Sequence, residues 1–271
     1  MKLASLHDGS RDGQLVVVSR DLRTAHYATG IATRMQQLLD DWNFVSPQLE
    51  DLYATLNDGK PRHAFAFDPR QALAPLPRAF QFAVACVAGI EQRSGDALLG
   101  AHAAWPECAG ALALSPGLAA ITGDLPVGAS LEQALDSLRL LMLFADAQPL
   151  GAGDDSAATP PASGLAVAFS PVAVTLDELG AAWRGGRMHR PLSFGPAGGK
   201  TKALDLAPLM TVPPATAAAL LARLRPLRAG TIVGSRLDGV ALPLAAGERI
   251  QAELLGADGG SVFGALAAAA G

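Results

Sequence analysis

One residue in five of this chain is alanine, 54 of 271. A methyl group buries little apolar area, so a core rich in alanine gains little per residue and leans on its longer side chains. Those are scarce. Aromatic residues make up 5 % of the chain, and 29 glycines and 19 prolines interrupt its regular segments. The length still suits one large domain, or a medium domain with a small partner, and suffices to bury a core. The anchors are expected in the Leu/Ile/Val runs and in the few Trp and Phe.

Twenty-five acidic side chains against 21 basic ones leave a net charge of −4. That balance does not attract a polyanion, so neither nucleic acid nor an anionic membrane is an expected partner. No run reaches the roughly 18 apolar residues of a membrane span, and no signal peptide is read at the N-terminus. A soluble cytoplasmic protein is expected. Cys86 and Cys108 allow one internal disulfide at most, and their apolar surroundings favour buried thiols. Charge is segregated. Ser94 to Trp183 holds ten acidic residues and one basic, Arg139, whereas Arg184 to Arg236 holds nine basic and one acidic, Asp205. These segments read as two solvated faces that attract one another, or as an anionic-substrate pocket lined by part of the basic one.

Periodicity and turn residues divide the chain. Met1–Leu6 and Gln14–Ser19 read as a hairpin, followed by a short strand over His26–Thr29 and a helix over Ile31–Leu39. A second helix is expected from Ser46, with Pro47 at its first position, to Leu56, stopped by Gly59 and Pro61. Prolines at 69, 75 and 77 suggest a linker, which places a boundary near residue 70 between a small N-terminal domain (1–70) and a larger C-terminal one (71–271). Phe80–Ile90 is a buried strand or short helix. Ala109–Ala113 and Leu118–Thr122 flank Ser115-Pro116-Gly117. Ser130 caps a helix over Leu131–Leu141, with Leu131, Leu135, Leu138 and Met142 at helical spacing, and Leu140–Phe144 leads into a strand ending at Asp146. Residues 148–164 read as a flexible polar loop. Short strands at Val167–Phe169 and Val172–Val174, a capped turn from Thr175, a helix over Thr216–Leu224 and a terminal β-hairpin, Glu248–Leu255 and Val262–Gly264 about the turn Asp258–Ser261, complete the reading.

The visible chemistry is sparse. The five histidines show no metal-site spacing, and no phosphate loop or serine elbow is present; Gly198-Gly199-Lys200-Thr201 reads as a plain loop. Asp146 is the acid of interest. It follows Leu140–Ala145, where an unpaired carboxylate would be costly, and it reads either as a strand-end residue facing solvent or as a paired or metal-bound one.

Several stretches resemble the bacterial two-domain form of the fumarylacetoacetate hydrolase (FAH) family. They are MKLASLHDGSRDGQLVVVSRDLRTAHYATGI at the start, Ala120-Ile121-Thr122-Gly123-Asp124, Leu140–Asp146, Ala168-Phe169-Ser170-Pro171-Val172, Leu227–Ser235 and Gly247–Ile250, collinear from residue 1 to about 266. The resemblance implies an α+β, mostly β fold: a small α/β N-terminal domain followed by an FAH-like C-terminal domain with a mixed β-sheet roll. It implies a homodimer and a three-carboxylate site for Mg²⁺ or Mn²⁺ acting on diketo and related oxo acids.

Carried over by residue, that site is depleted. The paired glutamates fall on Ser115 and Gly117, the third ligand on Asp146, and the lysine on or beside Gly164. The histidine region reads Ala83-Val84-Ala85-Cys86 and contains no histidine. The carboxylate-binding turn remains in part as Gly230-Thr231 and Gly234-Ser235. A hard divalent ion requires several oxygen ligands, so Asp146 alone implies a weak metal site, with no cofactor expected and Mg²⁺ or Mn²⁺ only if the protein is active. The expectation is a family homologue with lost or greatly weakened hydrolase activity. One alternative is a rearranged site using His102, Glu107 or Thr231, with Arg184, Arg187 and Arg190 binding an oxo-acid. A non-catalytic subunit of a mixed dimer is another.

Overall fold

A computed structural model of the chain describes residues 1–59, 62–96, 98–105, 112–149, 166–245 and 247–269. Glu107, Cys108, Gly164 and nearly all of the expected polar loop lie outside the described residues.

The centre of the molecule is a pair of long antiparallel strands, Leu112–Thr122 and Leu138–Pro149. Side chains alternate across them. Leu141, Leu143 and Ala145 enter one core, whereas Leu140, Met142 and Phe144 enter the other. A strand covered on both faces needs a continuous apolar run, which accounts for the Leu140–Ala145 composition. Around this pair a mixed sheet of 13 strands is assembled. Its main path runs Phe65–Ala66, Thr24–Tyr27, Gln14–Val18, Lys2–Leu6, Ala173–Thr175, Leu138–Pro149, Leu112–Thr122, Thr231–Arg236, Phe82–Cys86 and Gly89–Arg93. The N-terminal hairpin therefore joins the main sheet directly, with Lys2 opposite Val174 and Leu3 opposite Ala173. A three-stranded sheet of Lys202–Asp205, Pro191–Pro196 and Ile250–Leu254 stands apart from it. This mixed sheet, preceded by a small α/β N-terminal segment, is the FAH-like architecture expected from the sequence.

The alanines lie where elements approach closely. Ala83, Ala85, Ala119, Ala120, Ala145 and Ala168 are buried within strands. Ala215, Ala217, Ala218 and Ala222 form the buried side of the helix Pro214–Ala222, which contacts the strand Thr231–Arg236. The longer anchors are Phe82, Phe144 and Phe169, whose rings pack with centroids 5.7 and 6.2 Å apart.

Four local expectations are corrected. The second helix is Trp42–Asn57, so Pro47 sits in its second turn rather than at its first position. Burial of Val45, Leu49, Tyr53 and Leu56 along one stripe extends the helix past the missing N–H of the proline. The third helix stops at Ser137. Leu138 and Met142 share helical spacing with Leu131 and Leu135, but sheet burial claims them for a strand. Ser115-Pro116-Gly117 is continuous strand. Pro116 is tolerated because its backbone faces the place where one neighbouring strand ends: Leu237 N donates to Pro116 O just after Arg236, and the next neighbour, Leu242–Leu244, pairs only from Leu114 onwards. Finally, Asp146 is not a solvent-facing strand end. It is fully buried and lies inside Leu138–Pro149.

Candidate functional site

Register gathers the site. Ser115 lies directly opposite Asp146, and Gly117 lies opposite Phe144 on one side and Arg236 on the other. Because side chains repeat every second residue, 115, 117, 144, 146 and 236 point to the same face of the sheet. Two strands further on, Phe82 pairs with Arg93 and Val84 with Glu91, which brings those two polar residues to that face as well. The three positions that the resemblance assigns to metal-binding carboxylates are thus neighbours.

Two guanidiniums surround the one carboxylate retained. Arg93 Nη2 donates to Asp146 Oδ2 at 2.7 Å, and Arg236 Nη1 donates to the same oxygen at 3.1 Å. The Arg93 and Asp146 side chains are 1 % and 0 % exposed. Glu91, 38 % exposed, approaches from the solvent side, 2.8 Å from Arg93 Nη2 and 3.8 Å from Arg236 Nη2. Gln148, with its amide oxygen turned to the guanidiniums, accepts from Arg93 Nη2 at 3.1 Å and from Arg236. Arg236 Nη2 also donates to the buried thiol of Cys86 at 3.2 Å. Burial pushes the Asp146 carboxyl above its ordinary range, and the two arginines pull against that shift. Burial opposes the charge of Arg236, yet Asp146 and Glu91 beside it raise its pKa. The acidic and basic halves of the sequence therefore meet inside the fold, through Asp146 and Arg236.

These residues do not fit a divalent ion. Asp146 Oδ2 is occupied by two cations, and position 115 offers a hydroxyl. Position 117 can offer nothing: a Cβ there would stand 2.4 Å from the Phe144 ring and 2.4 Å from the Ser235 carbonyl oxygen. The same ring would lie 3.0 Å from a Cβ at Gly234. Phe144 thus fills the space that the two glycines leave. Among the described residues, no three His, Cys, Asp or Glu side chains stand close enough to hold a metal.

The other predicted residues are placed elsewhere or engaged structurally. Thr231 Oγ1 donates to Arg228 O at 2.8 Å, and Gly230 (φ +90°) packs against Gln36, which bonds to Ala229 O. Ser235 Oγ faces the opposite side and donates to Val212 O at 2.6 Å. Arg187 donates to the carbonyls of Ala207 and Met210, both at 2.6 Å. Arg184 lies with Arg187 on a two-stranded hairpin, and Arg190 lines a different cleft. His102 Nε2 is buried with no hydrogen-bond partner, and burial pushes its imidazole pKa down. Among the described residues, none of these bonds to Asp146. Sequence reasoning missed Arg93, Glu91, Gln148 and Phe144 as site residues. Their only sequence signal is alternation on neighbouring strands, which becomes informative once the register is known.

Residues 1–78 match the family described as fumarylacetoacetase N-terminal domain 2. No curated protein sequence matches the chain. Solved structures match over its whole length. Maleylpyruvate hydrolase from Sphingobium sp. SYK-6 is 16 % identical, with 100 % of both chains covered and a TM-score of 0.75. That enzyme has also been solved with manganese(II) and pyruvate. A fumarylacetoacetate hydrolase from the psychrophile Exiguobacterium antarcticum is 15 % identical, covering 100 % of this chain and 99 % of its own, with a TM-score of 0.74. A 5-carboxymethyl-2-hydroxymuconate delta-isomerase from Mycobacterium smegmatis is 12 % identical, with 100 % and 99 % covered and a TM-score of 0.67. At these identities the likeness establishes the fold.

Proposed function

We propose that this FAH-fold protein does not carry out metal-dependent chemistry on diketo acids, and that Arg93 and Arg236 have taken over the charge-neutralising role of a metal beside Asp146. The reading rests on one observation: both guanidiniums hydrogen-bond to Asp146 Oδ2. A divalent ion would have to displace two guanidiniums and would still find one carboxylate where it needs several oxygens. Without a metal, the Lewis-acid polarisation of an oxo-acid carbonyl has no source in this cluster. The cluster instead neutralises and orients a buried charge, which is a structural role.

The test is a panel of acylpyruvates, fumarylpyruvate and oxaloacetate incubated with the purified protein, with and without Mg²⁺ or Mn²⁺. The expected result is no turnover above the free-solution rate under either condition, and no stoichiometric heat on calorimetric titration with Mn²⁺. A metal-dependent rate, or micromolar metal uptake that disappears in D146A, would overturn the proposal. A metal-independent rate lost in H102A would instead support a rearranged site.

A further inference from the structure

A second feature of the molecule, a cleft, lies away from this cluster. It encloses about 1020 Å³ between the Ser19–Thr24 turn, the end of the helix Trp42–Asn57, the short helix Leu176–Ala182 and the loop around Asp258. Its charges balance, with Lys2, Arg20, Arg23 and Arg190 against Asp21, Asp177, Glu178 and Asp258. Its hydrogen bonding is only partly satisfied. Several acceptors are engaged: Glu178 pairs with Arg20 at 3.5 Å, Asp21 accepts from Ser19 Oγ and Arg23 N, and Asp258 accepts from Gly260 N. Donors are left over. Lys2 Nζ donates to Ser261 O at 2.8 Å, its one hydrogen bond among the described residues, which leaves two N–H groups unspent. Ser261 Oγ is buried without a partner, and the half-buried Arg190 makes no hydrogen bond or ion pair among the described residues.

We propose that this cleft binds a small anionic aldehyde, whose carboxylate meets Arg190 and whose carbonyl is captured by Lys2 Nζ as an imine. The nitrogen lone pair attacks the carbonyl carbon, and the oxygen takes a proton to give a carbinolamine. Its hydroxyl then leaves as water with a proton taken from solvent, forming the C=N bond while the nitrogen retains its other proton. No oxidant or reductant is consumed. The protonated imine keeps one N–H, which Ser261 O can still accept, and Glu178, Asp258 and Asp21 balance its charge. Burial pushes the Lys2 amine down to about 8, so a large share is free base under mildly alkaline conditions.

The sequence contains four lysines, Lys2, Lys60, Lys200 and Lys202, which makes a direct test practical. The full chain would be incubated at pH 8 with glyoxylate and cyanoborohydride, digested, and mapped for carboxymethyl-lysine. An ordinary lysine amine is about a hundred-fold poorer in free base at that pH, so labelling of Lys2 should exceed that of Lys200 and Lys202 by at least about tenfold. It should fall about tenfold in R190A, which loses the charge-assisted bond to the carboxylate. K2R should melt as the parent does and carry no label at residue 2. Labelling spread evenly over the lysines, or absent from Lys2 in protein that melts normally, would overturn the proposal, as would labelling of Lys2 indifferent to R190A.

Discussion

At Asp146 the energetics are those of a buried ion pair with one partner too few to remove. Deleting the carboxylate removes the partner that Arg93 and Arg236 share and leaves Glu91 and Gln148 beside them, and breaking a buried pair in this way costs about 3–5 kcal/mol. D146A and R93A should each lower the urea midpoint accordingly. A loss below about 1 kcal/mol in both would mean that the cluster does not hold the sheet. Lys2 gives a second prediction, with the sign fixed by linkage. Its pKa falls from 10.5 to about 8 on folding, so the folded state binds fewer protons than the unfolded state between those values. Stability should therefore rise as pH increases from about 8 towards 10.5, and K2M should flatten that rise. The sequence revealed Asp146 because a carboxylate at the end of six apolar residues is conspicuous. It could not reveal Arg93, which stands 53 positions away and reaches Asp146 only through four intervening strand pairings.

Among the elements, the strand Leu138–Pro149 shows where sequence patterning stops being decisive. Leu131, Leu135, Leu138 and Met142 satisfy a helical stripe, and the capping box at Ser130 and Gln133 does start a helix. The sheet takes Leu138 onward because a run that buries side chains on alternate faces satisfies two cores at once. The hairpin, the helix Pro214–Ala222 and the strand Ile250–Leu254 were legible because their periodicity has no such competitor. The same strand explains why restoring acids would not restore a metal site. In S115E/G117E the new side chain at 117 meets the Phe144 ring and the Ser235 carbonyl, and overpacking of this kind costs about 1–3 kcal/mol. That variant should be less stable than the parent and should still give no heat with Mn²⁺. Adding F144A should recover part of the stability but not all of it, since the Ser235 carbonyl remains.

For the whole molecule, the expected homodimer is a proposal about surface. Phe80, Val87 and Leu224 are 75 %, 72 % and 90 % exposed, and an alanine-rich core leaves little reserve for apolar groups in water. Light scattering should give twice the 27.7 kDa of the chain, and a single-chain mass at micromolar concentration would reject the dimer. Among the described residues, no helix is long and apolar enough to cross a membrane.

The pairing of Lys2–Leu6 with Ala173–Thr175 also bears on the order in which the chain can fold. Phe82–Cys86 likewise waits for Thr231–Arg236, its parallel partner. During synthesis the first strands emerge long before their neighbours exist, and closing such distant contacts carries a loop-entropy cost ahead of any packing gain. The sheet cannot be completed until residue 244 has left the ribosome, so the nascent chain carries open strand edges for most of its translation.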